Sequence, residues 1–178
     1  MARRRPATPR VLVRAPTPDD RAAYLEAMRS SRRLHGRWVP PASDESFDRL
    51  LACVGDERYE PGFVCRIEDG AIAGFININE IVRGLFQSAF LGYAAVAPYA
   101  GQGYMREGLE VVMARAFTEL GLHRLEANIQ PGNEASIALA RGAGFVKEGY
   151  SERYLKIAGR WRDHERWAIR VEQWRARP

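Results

Sequence analysis

Cysteine, lysine and histidine are the scarce residues of this 178-residue chain, and each scarcity removes a class of function. Cys53 and Cys65 stand in unrelated segments, without the close Cys or His neighbours that zinc ligation needs, so both are expected to be buried thiols. His35, His123 and His164 are scattered, and neither a metal site nor a Ser/His/Asp arrangement can be assembled locally; no metal is expected. No apolar run approaches the ~20 residues of a membrane helix. The basic opening MARRRPATPR leads into VLVR and a charged stretch rather than the apolar core of a secretory signal, and a cytoplasmic protein is expected. Of the 27 basic residues only Lys147 and Lys156 are lysine, and the net charge is +5. An arginine-rich excess favours an acidic ligand or a nucleic-acid neighbourhood only weakly, and a solvated arginine surface explains it more simply.

The remaining composition, 46% apolar and 28% charged, is that of a globular domain large enough to bury a core without staples. Residues 1–9 read as a basic disordered arm and 10–175 as one domain. VLVR at 11–14 is a short strand. Thr17, Pro18, Asp19 and Asp20 then start a helix, as a cap, a first-turn proline and two acids facing the positive end of the dipole. Ala22, Leu25, Met28 and Leu34 give that helix its apolar side, and Gly36 ends it. Ser43 caps a second helix carrying Phe47, Leu50, Leu51 and Val54. From residue 62 the period becomes two. GFVCRIE, AIAGFININEIV and LFQSAFLGYAAV form three antiparallel strands joined by turns at Asp69-Gly70 and Arg83-Gly84. A helix over 104–120 stops at Gly121, HRLEANIQ is the next strand, Asn133 caps a short helix, and two strands over 145–171 close the chain. This order predicts an α/β fold of the α+β kind, with a mixed, mostly antiparallel sheet flanked by helices rather than a doubly wound one.

The stretch PYAGQGYMREGLEVV places Gly101 and Gly103 between a strand and a helix start. Such a start offers unsatisfied N–H groups and partial positive charge, and glycines let a phosphate approach the main chain. A dinucleotide site would need a third glycine where Arg106 stands, and Glu126 at the expected acidic distance is taken as coincidence. A nucleoside triphosphate loop would need Gly-Lys-Ser/Thr. The pyrophosphate of coenzyme A remains, beside a plain strand-to-helix turn.

The ordered set of segments resembles the GNAT superfamily of acetyltransferases. The glycine pair, HRLEANIQ, the helix start Asn133-Glu134-Ala135-Ser136, the Gly144-Phe145 pair and the terminal ribbon all match. Within it, IVRGLFQSAFLGY, GQGYMREGL and GFVKEGYSERYLKIAGRWRDH are most similar to the ribosomal-protein S5 alanine N-acetyltransferase branch, of RimJ/RimL type. Ala100 departs from the Gln or Arg of the broad pattern, and Met105 from its Gly or Ala; the methionine fits the S5-type branch.

The resemblance implies a mixed sheet that holds acetyl-CoA at a splay between its fourth and fifth strands. Main-chain groups of Ala94, Ala95 and Val96 would meet the pantetheine arm, with the N–H near Val96 as oxyanion donor, since Pro98 has none. Gly101, Gln102, Gly103, Tyr104 and Met105 would cradle the pyrophosphate. Asn133 would bond pantetheine or an active-site water, although an ordinary helix cap is the competing role, and Ser136 would protonate the leaving thiolate. Tyr150 is a second acid and Glu126 the candidate base, with Glu80 as alternative. An α-amine has a pKa of about 8, so a water relay could suffice. The implied substrate is the N-terminal alanine of a ribosomal protein, held in a slot between residues 17–54 and the ribbon carrying Tyr150, Tyr154 and Trp161, with possible ribosome proximity through the arginines. A small-amine acetyltransferase and a non-catalytic CoA- or RNA-binding protein are the alternatives.

Overall fold

The computed structural model describes residues 8–177, so most of the arm expected over residues 1–9 lies outside the described residues. Seven strands form one sheet: β1 (Val11–Arg14), β2 (Phe63–Arg66), β3 (Ile72–Val82), β4 (Ser88–Ala95), β5 (Arg124–Ile129), β6 (Val146–Ile157) and β7 (Arg160–Arg170). Their spatial order is β1-β2-β3-β4-β5-β7-β6. Every neighbouring pair is antiparallel except β4 and β5, which the helix α4 (Tyr104–Thr118) joins in parallel. This is the mixed, mostly antiparallel sheet that the sequence predicts.

Alternation along the strands divides the core. Val64, Ile76, Leu125, Ile129 and Ile169 pack with Leu109, Met113 and Phe117 of α4, and with Ile137 and Ala140 of α5 (Glu134–Gly142). The neighbouring strand residues Phe63, Cys65 and Phe75 point to the other face. There they meet Ala27 and Met28 of α1 (Arg21–Ser30) and Phe47 of α3 (Asp44–Ala52). Tyr24, Phe47, Phe63 and Phe75 form an aromatic cluster, Tyr24 standing 5.2 Å from both Phe47 and Phe75.

Local chemistry explains the element ends. Ser43 caps α3, its hydroxyl accepting from the Ser46 amide at 3.3 Å, a contact worth about 1 kcal/mol. Asp20 does more than complement a dipole: its carboxylate accepts from Arg14 at 2.6 and 2.7 Å and from the Thr17 amide at 2.7 Å, tying β1 to the start of α1. The arginine, then the Thr17 donors, hold Asp20 down at about 2.

Four expectations change. The first helix breaks at Ser31, and α2 (Arg32–His35) follows as a separate turn. Its buried side runs through Ala27, Met28, Ser31 and His35, whereas Leu34 is exposed, because two polar side chains find internal partners. β4 begins at Ser88, not at residue 85: Gln87 has φ 43°, the register slips between Asn79 and Val82, and Leu85 and Phe86 project outward. Cys53 is half-buried rather than buried, donating to the Arg49 carbonyl at 3.3 Å. The unforeseen α6 (Val171–Arg175) ends the chain and carries Trp174 onto Phe117.

Candidate active site

The parallel pairing of β4 and β5 stops at Leu91 and Ala127. Beyond it β4 continues on β3 as far as Ala95, and β5 continues on β7 as far as Ile129, so the two strands part and leave a gap. Ladder parity decides which main-chain groups face it. The Val96 amide donates to the Ala73 carbonyl at 2.9 Å, so the polar groups of Gly92, Ala94 and Val96 turn towards β3. Those of Tyr93 and Ala95 turn towards the gap. The expected oxyanion donor at Val96 is therefore corrected: its N–H is committed to the sheet, and the gap-facing amides are those of Tyr93 and Ala95. The Ala95 carbonyl meets His35 Nε2 at 2.9 Å. Ser31 secures Ala97, two residues on, its hydroxyl accepting from that amide at 2.8 Å.

After a single 3-10 turn over residues 97–99, Gly101 (φ 76°) and Gly103 (φ 87°) curl the chain into α4. Both lie in the left-handed region that side chains rarely adopt. Gly103 is the cap of α4 and brings no side chain to the helix start, so the first-turn amides are left for an outside partner. The loop is braced from behind. Arg10 donates to the Gln102 carbonyl at 3.0 Å, pairs with Glu107, and lies 4.7 Å over the Tyr104 ring. The Gln102 side chain turns back to the Pro98 carbonyl at 2.8 Å. Gln102 and Tyr104 thus shape the loop from outside the cleft. Met105 faces inward, and a Cβ on Gly74 of β3 would stand 2.1 Å from its sulfur. The methionine is accommodated because the strand beneath it is bare.

Two cavities meet across the end of β4. One, of about 390 Å³, is lined by Ala94, Ala95, Gly101, Gly103, Met105 and Arg106. The other, of about 460 Å³, lies over Asn79, Glu80, Phe90, Asn128, Tyr154 and His164. Trp38, Val39, Tyr93, Asn133 and Ser136 line both and form the waist between them. At this waist the Ser136 hydroxyl donates to the Tyr93 oxygen at 3.0 Å. Burial pushes the Tyr93 phenol up, keeping it protonated. Asn133 caps α5 with its Oδ1, accepting from the Ser136 amide at 3.4 Å. Cap and ligand roles coexist, since the cap leaves the amide nitrogen of Asn133 to the cleft.

Ala94, Ala95, Gly101, Gly103, Met105, Asn133 and Ser136 are therefore brought together as expected. Two expected catalytic residues are not. Glu126 lines neither cavity; its carboxylate accepts from Arg124 Nε at 2.9 Å, and Arg124 also pairs with Glu148. Tyr150 is on the exposed ribbon and donates to Asp163 Oδ2 at 2.7 Å, a bond that raises its pKa and makes it a poorer acid. It opens instead on an outer groove with Arg37, Trp38 and Trp161. Glu80, the alternative base, does line the second cavity, at a bulge where its φ is 50°. Its carboxylate is taken by Tyr59 and Arg58, which lower its pKa and its basicity. Tyr93, His35 and Arg10 were missed. Tyr93 could have been found by extending strand parity from Leu91, but nothing local marks the other two.

The fold and this cleft define a class. Residues 10–146 match the family model described as the acetyltransferase (GNAT) domain, and the chain belongs to that family. It is 40% identical over 114 residues to the probable N-acetyltransferase YjcK of Bacillus subtilis, covering 64% of this chain and 62% of that protein. It is 36% identical over 107 residues to the ribosomal protein uS5-alanine N-acetyltransferase of Escherichia coli, covering 60% and 55%. The matched stretch thus spans about three fifths of each relative's length. Among solved structures, Mycobacterium smegmatis RimJ in complex with CoA-disulfide superposes with a TM-score of 0.81 at 27% identity, over 92% of this chain and 83% of that one.

Proposed function

We propose that this protein transfers an acetyl group from acetyl-CoA to the N-terminal amine of a ribosomal protein, an S5-type alanine. The observation that carries the reading is the pair of cavities joined at the Ser136–Tyr93 waist, one beside a glycine-capped helix start and the other beside polar side chains. The helix start fits a pyrophosphate, with free first-turn amides and two left-handed glycines whose missing Cβ atoms leave the main chain open. The gap-facing Ala95 carbonyl and the Asn133 amide fit the polar pantetheine arm. Acetyl-CoA supplies the activated thioester, and the chain's own residues supply the rest. The Ala95 amide polarises the carbonyl, Ser136 donates a proton to the departing sulfur, and Tyr93 supports Ser136. Trp38, Val39 and Phe90 narrow the second cavity, as a small side chain such as the alanine methyl requires. The outer groove with Trp161 shares Trp38 and Gln130 with that cavity and would carry the following peptide. The E. coli relative named for uS5-alanine acetylation supports the choice of acceptor.

The experiment offers acetyl-CoA with a peptide bearing the S5 N-terminus, with spermidine and with an aminoglycoside, and follows free CoA. Release with the peptide is expected. Release only with spermidine or the aminoglycoside overturns the acceptor, and absence of CoA binding by calorimetry overturns the enzyme.

A further inference from the structure

With Glu126 outside the cleft and Glu80 bound to Tyr59 and Arg58, the acceptor cavity needs another group to take the proton of the incoming nitrogen. His164 of β7 is in that cavity and only 2% exposed. Its Nδ1 lies 2.9 Å from the Arg162 carbonyl oxygen. A carbonyl can only accept, so Nδ1 carries the hydrogen, and in the neutral ring Nε2 is left with a bare lone pair. That nitrogen makes no hydrogen bond to the described residues, yet it is not among the sealed, unpartnered atoms of the interior, so it opens on the cavity. Burial lowers the pKa of the ring, which keeps it neutral and ready to accept.

A second polar residue stands on the same face. The register pairs Asn128 with Arg166 and Ser151 with His164, so Asn128, His164 and Arg166 share one side of the sheet. The Asn128 Oδ1 is sealed without a partner although the residue lines the same cavity, so His164 Nε2 is the bare acceptor that faces the space. A bare ring nitrogen there describes a site for a nitrogen that brings its own hydrogens.

We infer that His164 is the catalytic proton acceptor, an inference that rests on the acetyl-transfer reading above. The nitrogen lone pair attacks the thioester carbon, the C–N bond forms, and the nitrogen turns acidic as it becomes positively charged. Its proton passes to His164 Nε2 and then to solvent. The C–S bond breaks, the thiolate takes the Ser136 proton, and Ser136 regains a proton from solvent, which replaces the one that His164 releases. The net transfer is of acetyl to nitrogen and of one proton to sulfur.

The test uses the full chain and two variants. His164→Asn keeps an N–H donor near the Nδ1 position for the Arg162 carbonyl while removing the Nε2 lone pair; His164→Ala leaves space for free imidazole. With whichever amine the parent acetylates, both should lose about 100-fold in kcat, the lower end of general-base contributions, with CoA affinity by calorimetry retained. Imidazole should restore part of the rate of His164→Ala alone. Nitrogen-15 NMR of the parent's imidazoles, which needs no substrate, should show His164 protonated at Nδ1 and bare at Nε2. A proton on Nε2 overturns the proposal whatever the acceptor. So does parental turnover in His164→Asn, or a loss in His164→Ala that imidazole does not restore. A parent that acetylates none of the amines contradicts the acceptor reading, and the NMR result still decides on His164.

Discussion

At the waist of the cleft the Ser136 hydroxyl donates to the Tyr93 oxygen at 3.0 Å and the Tyr93 hydroxyl to the Ser136 carbonyl at 3.4 Å, and this sets how their substitutions combine. Ser136→Ala removes the proposed proton donor and should lower kcat about 100-fold with little change in the acetyl-CoA KM. Tyr93→Phe deletes a supporting bond of about 1 kcal/mol and should cost about fivefold. The double variant should be no slower than Ser136→Ala, because the tyrosine acts through the serine; steady-state kinetics of the three variants check this. Asp20 makes a different prediction, about stability. Its pKa is about 2 in the fold against 3.8 as the ordinary value, so its contribution is complete above the ordinary value and is lost as pH falls through the folded one. Asp20→Asn should therefore be less stable at neutral pH by about 2 kcal/mol in urea unfolding, and the difference should shrink as pH falls from 4 towards 2. Single residues were legible where chemistry is local. Ser43 and Asn133 read as caps from their neighbours alone. His35, Arg10 and His164 did not, because their partners are Ala95, Glu107 and the cavity wall, which only folding brings near.

Among elements, the loop before α4 concentrates the function. Gly101 and Gly103 are needed for their left-handed backbone, so Gly101→Ala should cost about 1–2 kcal/mol of stability. Gly103→Trp should in addition displace Arg10, whose guanidinium lies 3.1 Å from where a Cβ would stand, and so distort the loop and weaken CoA binding, read by calorimetry; retained affinity would refute the placement of the pyrophosphate. Arg10→Ala touches neither cavity but frees the Gln102 carbonyl and Glu107, and should weaken CoA binding several-fold while leaving the acceptor KM unchanged. Element types followed from periodicity and turn residues, and long strands such as β3 were plain. The failures have tertiary or backbone causes. The buried side of α1 and α2 includes Ser31 and His35, so an apolar count chose Leu34 instead, which is exposed. Likewise Leu85 and Phe86 look like strand residues, but the positive φ of Gln87 and the bulge after Asn79 end the ladder before them.

At the scale of the molecule, the cleft is a product of topology. A sheet that is antiparallel up to β4 and turns parallel for one pair lets β4 and β5 hold different neighbours, and they separate where those neighbours pull them apart. The element order pointed to this crossover. The direction of each main-chain group at the gap did not follow from it, and the proposed oxyanion donor is Ala95 rather than Val96 for that reason. The same topology sets the second cavity over β5 and β7, so the proposed coenzyme and amine sites meet at the Tyr93–Ser136 waist. The most direct measurement presents acetyl-CoA with the S5 N-terminal peptide in two forms, one with a free α-amine and one with that amine blocked, and maps the product by mass spectrometry. The account predicts acetyl on the α-nitrogen of the free peptide and no turnover of the blocked one. Equal turnover of both, or no transfer to the free peptide, would contradict it.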